Sequence, residues 1–172
     1  GGGVNGMCSE PALNGDGRYV AYTSQADNLL TGDTMRRLDV FVFDLQSQTT
    51  ELVSVNRFGG FANGHSHSPQ ISQDGRFVLF WSKANDLAEF VPLKENLFLR
   101  DRWAGTNYTL TTLGVAQMQP VMTPDGRYIA YAGYASLVDF RSLVYVWDSR
   151  LAGRIYTNLA TPAAMTYAAA LT

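Results

Sequence analysis

The chain has 172 residues, enough for one domain with a sizeable core, yet only 16% are charged while 46% are apolar. An average globular protein carries about 25% charged residues. The net charge of −2 offers no basic surface for nucleic acid, and no apolar run approaches a membrane span. Aromatic residues at 12% exclude disorder, and the single cysteine, Cys8, excludes an internal disulfide framework and a cysteine-based zinc site.

The charges are skewed by type, with eleven Arg to two Lys and eleven Asp to four Glu. Lys and Glu favour helix surfaces, whereas Asp favours turns and Arg favours planar pairing. With many Gly, Tyr, Phe, Val and Thr besides, the composition reads as all-β. The opening Gly1-Gly2-Gly3 has neither the basic nor the apolar segment of a signal peptide.

The predicted elements then come in a repeating order. A first strand, A, lies at Cys8-Ser9-Glu10-Pro11-Ala12-Leu13, and the turn Asn14-Gly15-Asp16-Gly17 follows. Strand B begins at Arg18-Tyr19-Val20-Ala21-Tyr22. After a loop, strand C is Val40-Phe41-Val42-Phe43-Asp44, and strand D runs from Thr50 to Val55. A second unit repeats this order through Ser66 to Ile71, Asp74-Gly75-Arg76-Phe77, Leu97 to Asp101, and Tyr108 to Leu113. A third runs through Pro120-Val121-Met122, Asp125-Gly126-Arg127-Tyr128, Val144 to Asp148, and Arg154 to Leu159. The Asp-Gly-Arg strings are 58 and 51 residues apart. The units are thus placed at about 9–55, 66–113 and 118–159, with Thr166 to Thr172 opening a fourth strand A.

The A–B turn has a physical basis. Thr123-Pro124-Asp125-Gly126 puts Pro at the second position of a type I turn and Gly at the left-handed position that closes a bulged hairpin. Arg at the start of strand B and Asp at the end of strand C are expected to meet, pairing Arg18 with Asp44, Arg76 with Asp101 and Arg127 with Asp148. With Arg18 opposite Asp44, residues 20, 22, 40 and 42 share one face and 19, 21, 41 and 43 the other. Both faces are apolar, so each small sheet must be sandwiched between two others. A radial stack of such sheets is a β-propeller.

The string Ser/Cys-x-x-Pro-x-Ile/Leu-x-x-Asp-Gly-Arg-Tyr-Val-Ala-Tyr, seen at Cys8 to Tyr22 and Ser66 to Phe80, resembles the WD-repeat-like propeller repeat of the TolB-like family. The segment from Asn28-Leu29 through Gly32-Asp33-Thr34 to Asp39–Leu45 is also similar to it. The resemblance implies propeller blades used as interaction platforms in the bacterial periplasm or outside the cell. It equally implies the non-catalytic part of some peptidases, or certain polysaccharide lyases. Where many family repeats continue with small polar residues after Asp33-Thr34, this chain has Met35-Arg36-Arg37, which disfavours an Asp-rich cation site. Propellers close with about four to eight blades, so three units imply a longer parent sequence or copies that associate to complete a ring.

Candidate binding residues follow from this layout. His65 and His67, at i and i+2 of an extended segment, would face one side as an exposed polar pair, with no third metal ligand in view. Asp33 and Asp86, with Asp27, Glu89 and Asp139, fall in B–C loops at one end of the units, where an acidic rim would form. Trp103, on the second C–D turn, is the tryptophan expected to be exposed for sugar or partner contact. Cys8 occupies the slot of Ser66 and reads as a packed free thiol. Gly1-Gly2-Gly3-Val4-Asn5-Gly6 matches G-x-G-x-x-G but precedes no helix, and no hydrolase or metalloprotease string occurs. The expected function is a non-catalytic binding or scaffolding module for protein or glycan, with no cofactor. The alternative is the propeller portion of a larger enzyme.

Overall fold

A computed structural model of the chain describes residues 4–33, 36–89, 91, 94–111, 119–134 and 142–157. The predicted fourth strand A at 166–172, the Asp139 loop and the ends of the second and third D strands lie outside these residues.

Twelve strands form three antiparallel sheets among the described residues. Blade 1 holds β1 (Cys8–Leu13), β2 (Tyr19–Ser24), β3 (Asp39–Asp44) and β4 (Thr49–Leu52). Blade 2 holds β5 (Ser66–Ile71), β6 (Phe77–Ser82), β7 (Asn96–Asp101) and β8 (Thr106–Thr109). Blade 3 holds β9 (Val121–Met122), β10 (Tyr128–Tyr134), β11 (Ser142–Asp148) and β12 (Gly153–Thr157). Strand order is sequential in every sheet, so each is a meander of short hairpins. β4 ends at Leu52, earlier than the predicted Val55, because Val53 and Ser54 both donate to the Val40 carbonyl and the ladder is irregular there.

The A–B turns form as their sequence requires. Gly17, Gly75 and Gly126 have φ of 75°, 75° and 70°, and each N–H donates back to the carbonyl three residues earlier. The Asp of each turn accepts from the backbone N–H of the following Arg. All three predicted Arg–Asp pairs are present. Arg18 grips Asp44 through Nε (3.0 Å) and Nη2 (2.7 Å), and Arg76 grips Asp101 at 3.0 and 2.6 Å. Arg127 places both nitrogens 3.2 Å from one oxygen of Asp148. The Arg18 guanidinium holds the Asp44 carboxyl well below the usual carboxylate range, against the effect of burial. Each Asp also accepts N–H bonds from the C–D turn that follows, so one side chain fastens two turns.

The face assignment needs correction. Asp44 lies opposite Tyr19, not Arg18, and the Arg18 carbonyl accepts from Leu45 one step beyond the strand pair. The true faces are therefore 19, 21, 40 and 42 on one side and 20, 22, 41 and 43 on the other. A one-residue offset exchanges every partner across the sheet. The Arg still reaches Asp because its long side chain spans the diagonal. Both faces remain apolar, and two cores result. Ala21, Val40 and Val42 of blade 1 meet Val78, Phe80 and Phe98 of blade 2. Leu79, Trp81, Leu97 and Leu99 of blade 2 meet Ile129, Tyr131 and Tyr145 of blade 3.

Cys8 and Ser66 occupy equivalent positions, yet Ser66 is buried and Cys8 is exposed, contrary to the expected packed thiol. Ser66 has blade 1 beside it, its N–H donating to Leu38. No described residue plays that part for Cys8, which keeps only its bond to Ser24 Oγ (3.3 Å).

Arg76→Ala should destabilise the protein by about 1–3 kcal/mol, leaving the buried Asp101 without its guanidinium. A chemical denaturation curve checks this. The C–D turns carry a left-handed residue at one shared position: Gln48 (φ 58°), Gly105 (67°) and Ala152 (48°). Ala152→Gly should therefore raise stability by roughly 0.5–1 kcal/mol, read as a higher Tm.

Candidate functional site

The end of the blades that carries the β2–β3 and β6–β7 loops is built on a repeated clasp. Gly6 and Gly64 lie so close to the backbone of Ala26 and Ala84 that a Cβ at either would collide with it. Asn5 and Asn63, one residue earlier, bond to the Asp27-Asn28 and Asn85-Asp86 pairs. Ser24 and Ser82 accept from the N–H of Ala26 and Ala84, closing each loop from below. These contacts explain why Asn-Gly and Ser-x-Ala recur together in the first two units.

Between blades 1 and 2 at this end lies a cleft of about 690 Å³. Leu30 to Asp33 and Arg37 of the β2–β3 loop form one wall, and Gly59 to Asn63 of the linker with Asp86 form the other. Leu52 and Val55 also line it. The linker is held by one side chain. Asn56 Oδ1 accepts from the N–H groups of Phe58 and Gly60 (both 2.9 Å), and its Nδ2 donates to the Phe61 carbonyl (2.7 Å). Gly59, at φ 88°, makes the reversal possible, and Val55 bridges Phe61 across its base. Phe58 stands 77% exposed at the tip with Arg57 over its ring. The Asp86 carbonyl accepts from Arg57 (2.9 Å) and its carboxylate from the Asn63 N–H (3.1 Å). Arg37 Nη1 donates to the Ala62 carbonyl at 3.3 Å.

A third carboxyl, Asp39, is buried at the start of β3 and accepts from Ser54 Oγ at 2.7 Å. Burial pushes its pKa up to about 7, with the charges of Asp33 and Asp86 adding to the effect, while Ser54 and Arg37 oppose it. The equivalent position in blade 2 is Asn96, reached by Thr111 as Asp39 is by Ser54. Blade 1 thus puts an acid where blade 2 puts a neutral amide.

Asp33 and Asp86 therefore come together on this cleft, Asp33 buried and Asp86 half-buried. Asp27 pairs with Arg36 at 2.8 Å instead, and Glu89 does not line the cleft. The histidines do not line it either. His65 Nδ1 accepts from the Leu38 N–H (3.0 Å). His67 sits within β5, with Nε2 3.0 Å from Glu95 and Nδ1 3.0 Å from Ser68 Oγ. Trp103 is 67% exposed, but on the β7–β8 turn at the other end of the blade, with Arg76 over its ring. Among the described residues no group of three His, Cys, Asp or Glu is placed to hold a metal ion, and no helix is long and apolar enough to cross a membrane. Sequence reasoning missed Arg37, Phe58 and Phe61. The signal for the two aromatics was Arg57-Phe58-Gly59-Gly60-Phe61, aromatics flanking a Gly pair, which reads as plain linker.

Solved structures decide the architecture. The chain resembles TolB from Acinetobacter baumannii, with 19% identity and a TM-score of 0.53, covering 87% of this chain and 31% of that one. It resembles the β-propeller domain of the Trilobed protease from Pyrococcus furiosus at 14% identity and a TM-score of 0.59, covering 88% and 42%. The fold is three blades of a β-propeller. A further match is Porphyromonas gingivalis dipeptidyl peptidase 4, at 15% identity and a TM-score of 0.59, covering 90% of this chain and 18% of that one. The chain thus spans less than half the length of each. No family model matches the sequence, and no curated protein matches it.

Asp39 gives a pH prediction. Its folded pKa lies above its unfolded value, so the folded state holds the extra proton, and stability is lost as pH rises from about 4 to about 7. Asp39→Asn should remove that loss, with a difference slope of at most about 1.4 kcal/mol per pH unit. Melting curves of both proteins across this range check it.

Proposed function

We propose that these blades form a non-catalytic binding module whose ligand enters the cleft between blades 1 and 2. The observation that carries this reading is the cleft itself, which Asp33 and Asp86 line together with apolar Val55 and Phe61. A preorganised pocket that mixes aromatic and charged groups suits a protein segment presenting a basic side chain beside an apolar one. Two carboxylates disfavour acidic sugars; a neutral glycan is the other occupant to be tested. The TolB-like resemblance supports an interaction platform in the periplasm or outside the cell. A second reading, the propeller portion of a larger peptidase, draws support from the protease and the peptidase among the similar structures.

Titrating an acetylated Phe-Lys dipeptide amide and a neutral oligosaccharide into ¹⁵N-labelled protein tests the reading. The dipeptide should shift amides at 30–33, 37, 59–63 and 86, and Phe61→Ala should weaken binding about tenfold or more, as loss of an aromatic anchor does. Shifts confined to the oligosaccharide would reassign the ligand class. No shifts at the cleft with either probe would contradict the site.

A further inference from the structure

Asp39 is 1% exposed at the start of β3, with Ser24 opposite it on β2. Ser54 Oγ donates to its Oδ1 at 2.7 Å and accepts from the Val40 N–H at 3.1 Å, so that oxygen is already engaged. Blade 2 shows what the position asks of the other atom. There Thr111 Oγ1 donates to Asn96 Oδ1 at 3.4 Å, while Asn96 Nδ2 donates to the Lys94 carbonyl at 2.6 Å. Asp39 can imitate that second donor only as a protonated acid. The position therefore seats a neutral side chain, and ionised Asp39 has to be stabilised by charge from elsewhere.

The charges that act on Asp39 are the charges of the cleft. Burial raises its pKa most and Ser54 opposes that; Asp33 and Asp86 raise it further and Arg37 lowers it. Asp33, Arg37 and Asp86 all line the cleft. Arg37 reaches from the β2–β3 loop to the linker wall, where Nη1 meets the Ala62 carbonyl at 3.3 Å. With Asp39 ionised, three carboxylates share that one guanidinium. A further titratable group, His65, stands exposed on the linker, its Nδ1 accepting from the N–H of Leu38 beside Asp39. A positive charge arriving next to Asp33 and Asp86 offsets their repulsion and favours ionised Asp39, whereas an uncharged occupant leaves it protonated.

We infer that Asp39 couples the cleft to pH: a cation entering beside Asp33 and Asp86 drives the Asp39 proton out to solvent, and the cleft holds cations more tightly once that proton has left. The inference rests on the reading that the cleft takes a basic side chain, and it adds how that binding is regulated. The sign follows from the empty state. With its pKa pushed up to about 7, Asp39 is protonated in the empty cleft below neutral pH. Affinity for a basic ligand therefore rises with pH and levels off above about 7. By reciprocity, the bound cation lowers the titration midpoint of Asp39 by the same factor that the affinity gains.

Calorimetric titration with the acetylated Phe-Lys dipeptide amide, in two buffers of different ionisation enthalpy, tests the inference. The Lys amine stays protonated throughout, so any proton released comes from the protein. Affinity should rise about tenfold between about pH 5 and 8, with release of about half a proton per dipeptide midway. Asp39→Asn, which copies the blade 2 residue, should flatten both, and His65→Gln should leave both unchanged. The ¹³C signal of the Asp39 carboxyl gives a reading that needs no variant. Its midpoint should fall by about one pH unit with the dipeptide and stay in place with the uncharged acetyl-lysine form. An unmoved midpoint, equal proton release from Asp39→Asn, or loss of release in His65→Gln instead would overturn the inference and leave the cleft reading standing. Absence of dipeptide binding to the unaltered chain at every pH would overturn both.

Discussion

The structure depends on one contact, made twice: an aromatic ring of one blade packed against the turn glycine of the next. Glycine is needed there for two reasons at once. The turn requires a left-handed residue, and the neighbouring ring occupies the space a Cβ would take. Around this contact the Asp-Gly-Arg string has a job for every member. Asp closes its own turn, Gly receives the previous blade, and Arg ties strand C while covering the aromatic that reaches forward. Arg102 extends the tie, bonding Glu51 and the Gly75 carbonyl while its guanidinium lies 4.6 Å from the centre of the Tyr19 ring.

This repeated tie explains the low charge of the chain. Each sheet needs two apolar faces, and its few charges are spent at the turns, where Arg and Asp pair in fixed geometry. The loop end follows the same economy. Asn5-Gly6 and Asn63-Gly64 clasp their loops through backbone-close glycines, while the linker at 56–61 is shaped by the Asn56 side chain, the Gly59 reversal and the Val55–Phe61 bridge. The cleft is thus a by-product of rigid repeats meeting at a variable linker. Its acidity comes from both blades, Asp33 from the β2–β3 loop and Asp86 from the β6–β7 loop.

Much of the fold was legible because the signals recur in register: turn glycines, Arg–Asp pairs and strand order all follow from three aligned strings. What failed was the one-residue offset between Arg18 and Asp44, because a flexible guanidinium meets the same carboxylate from either register while the strand faces exchange. The exposure of Cys8 was not legible from its alignment with Ser66, since burial depends on a neighbouring blade and not on the strand itself. Asp33 and Asp86 were found through their loops, but their meeting in one cleft depends on the packing of two blades. Arg37 and Phe61 were missed because residues of the β2–β3 loop and the linker carry no periodic signal.

The most direct measurement compares Gly17→Ala with Gly75→Ala. Both positions have φ of 75°, so both substitutions pay the same left-handed strain, about 1 kcal/mol. Only Gly75 lies under a ring, so its substitution should cost about 1–3 kcal/mol more in urea denaturation. Equal losses at the two positions would show that the glycines serve their turns alone and that the blades are held together by something else.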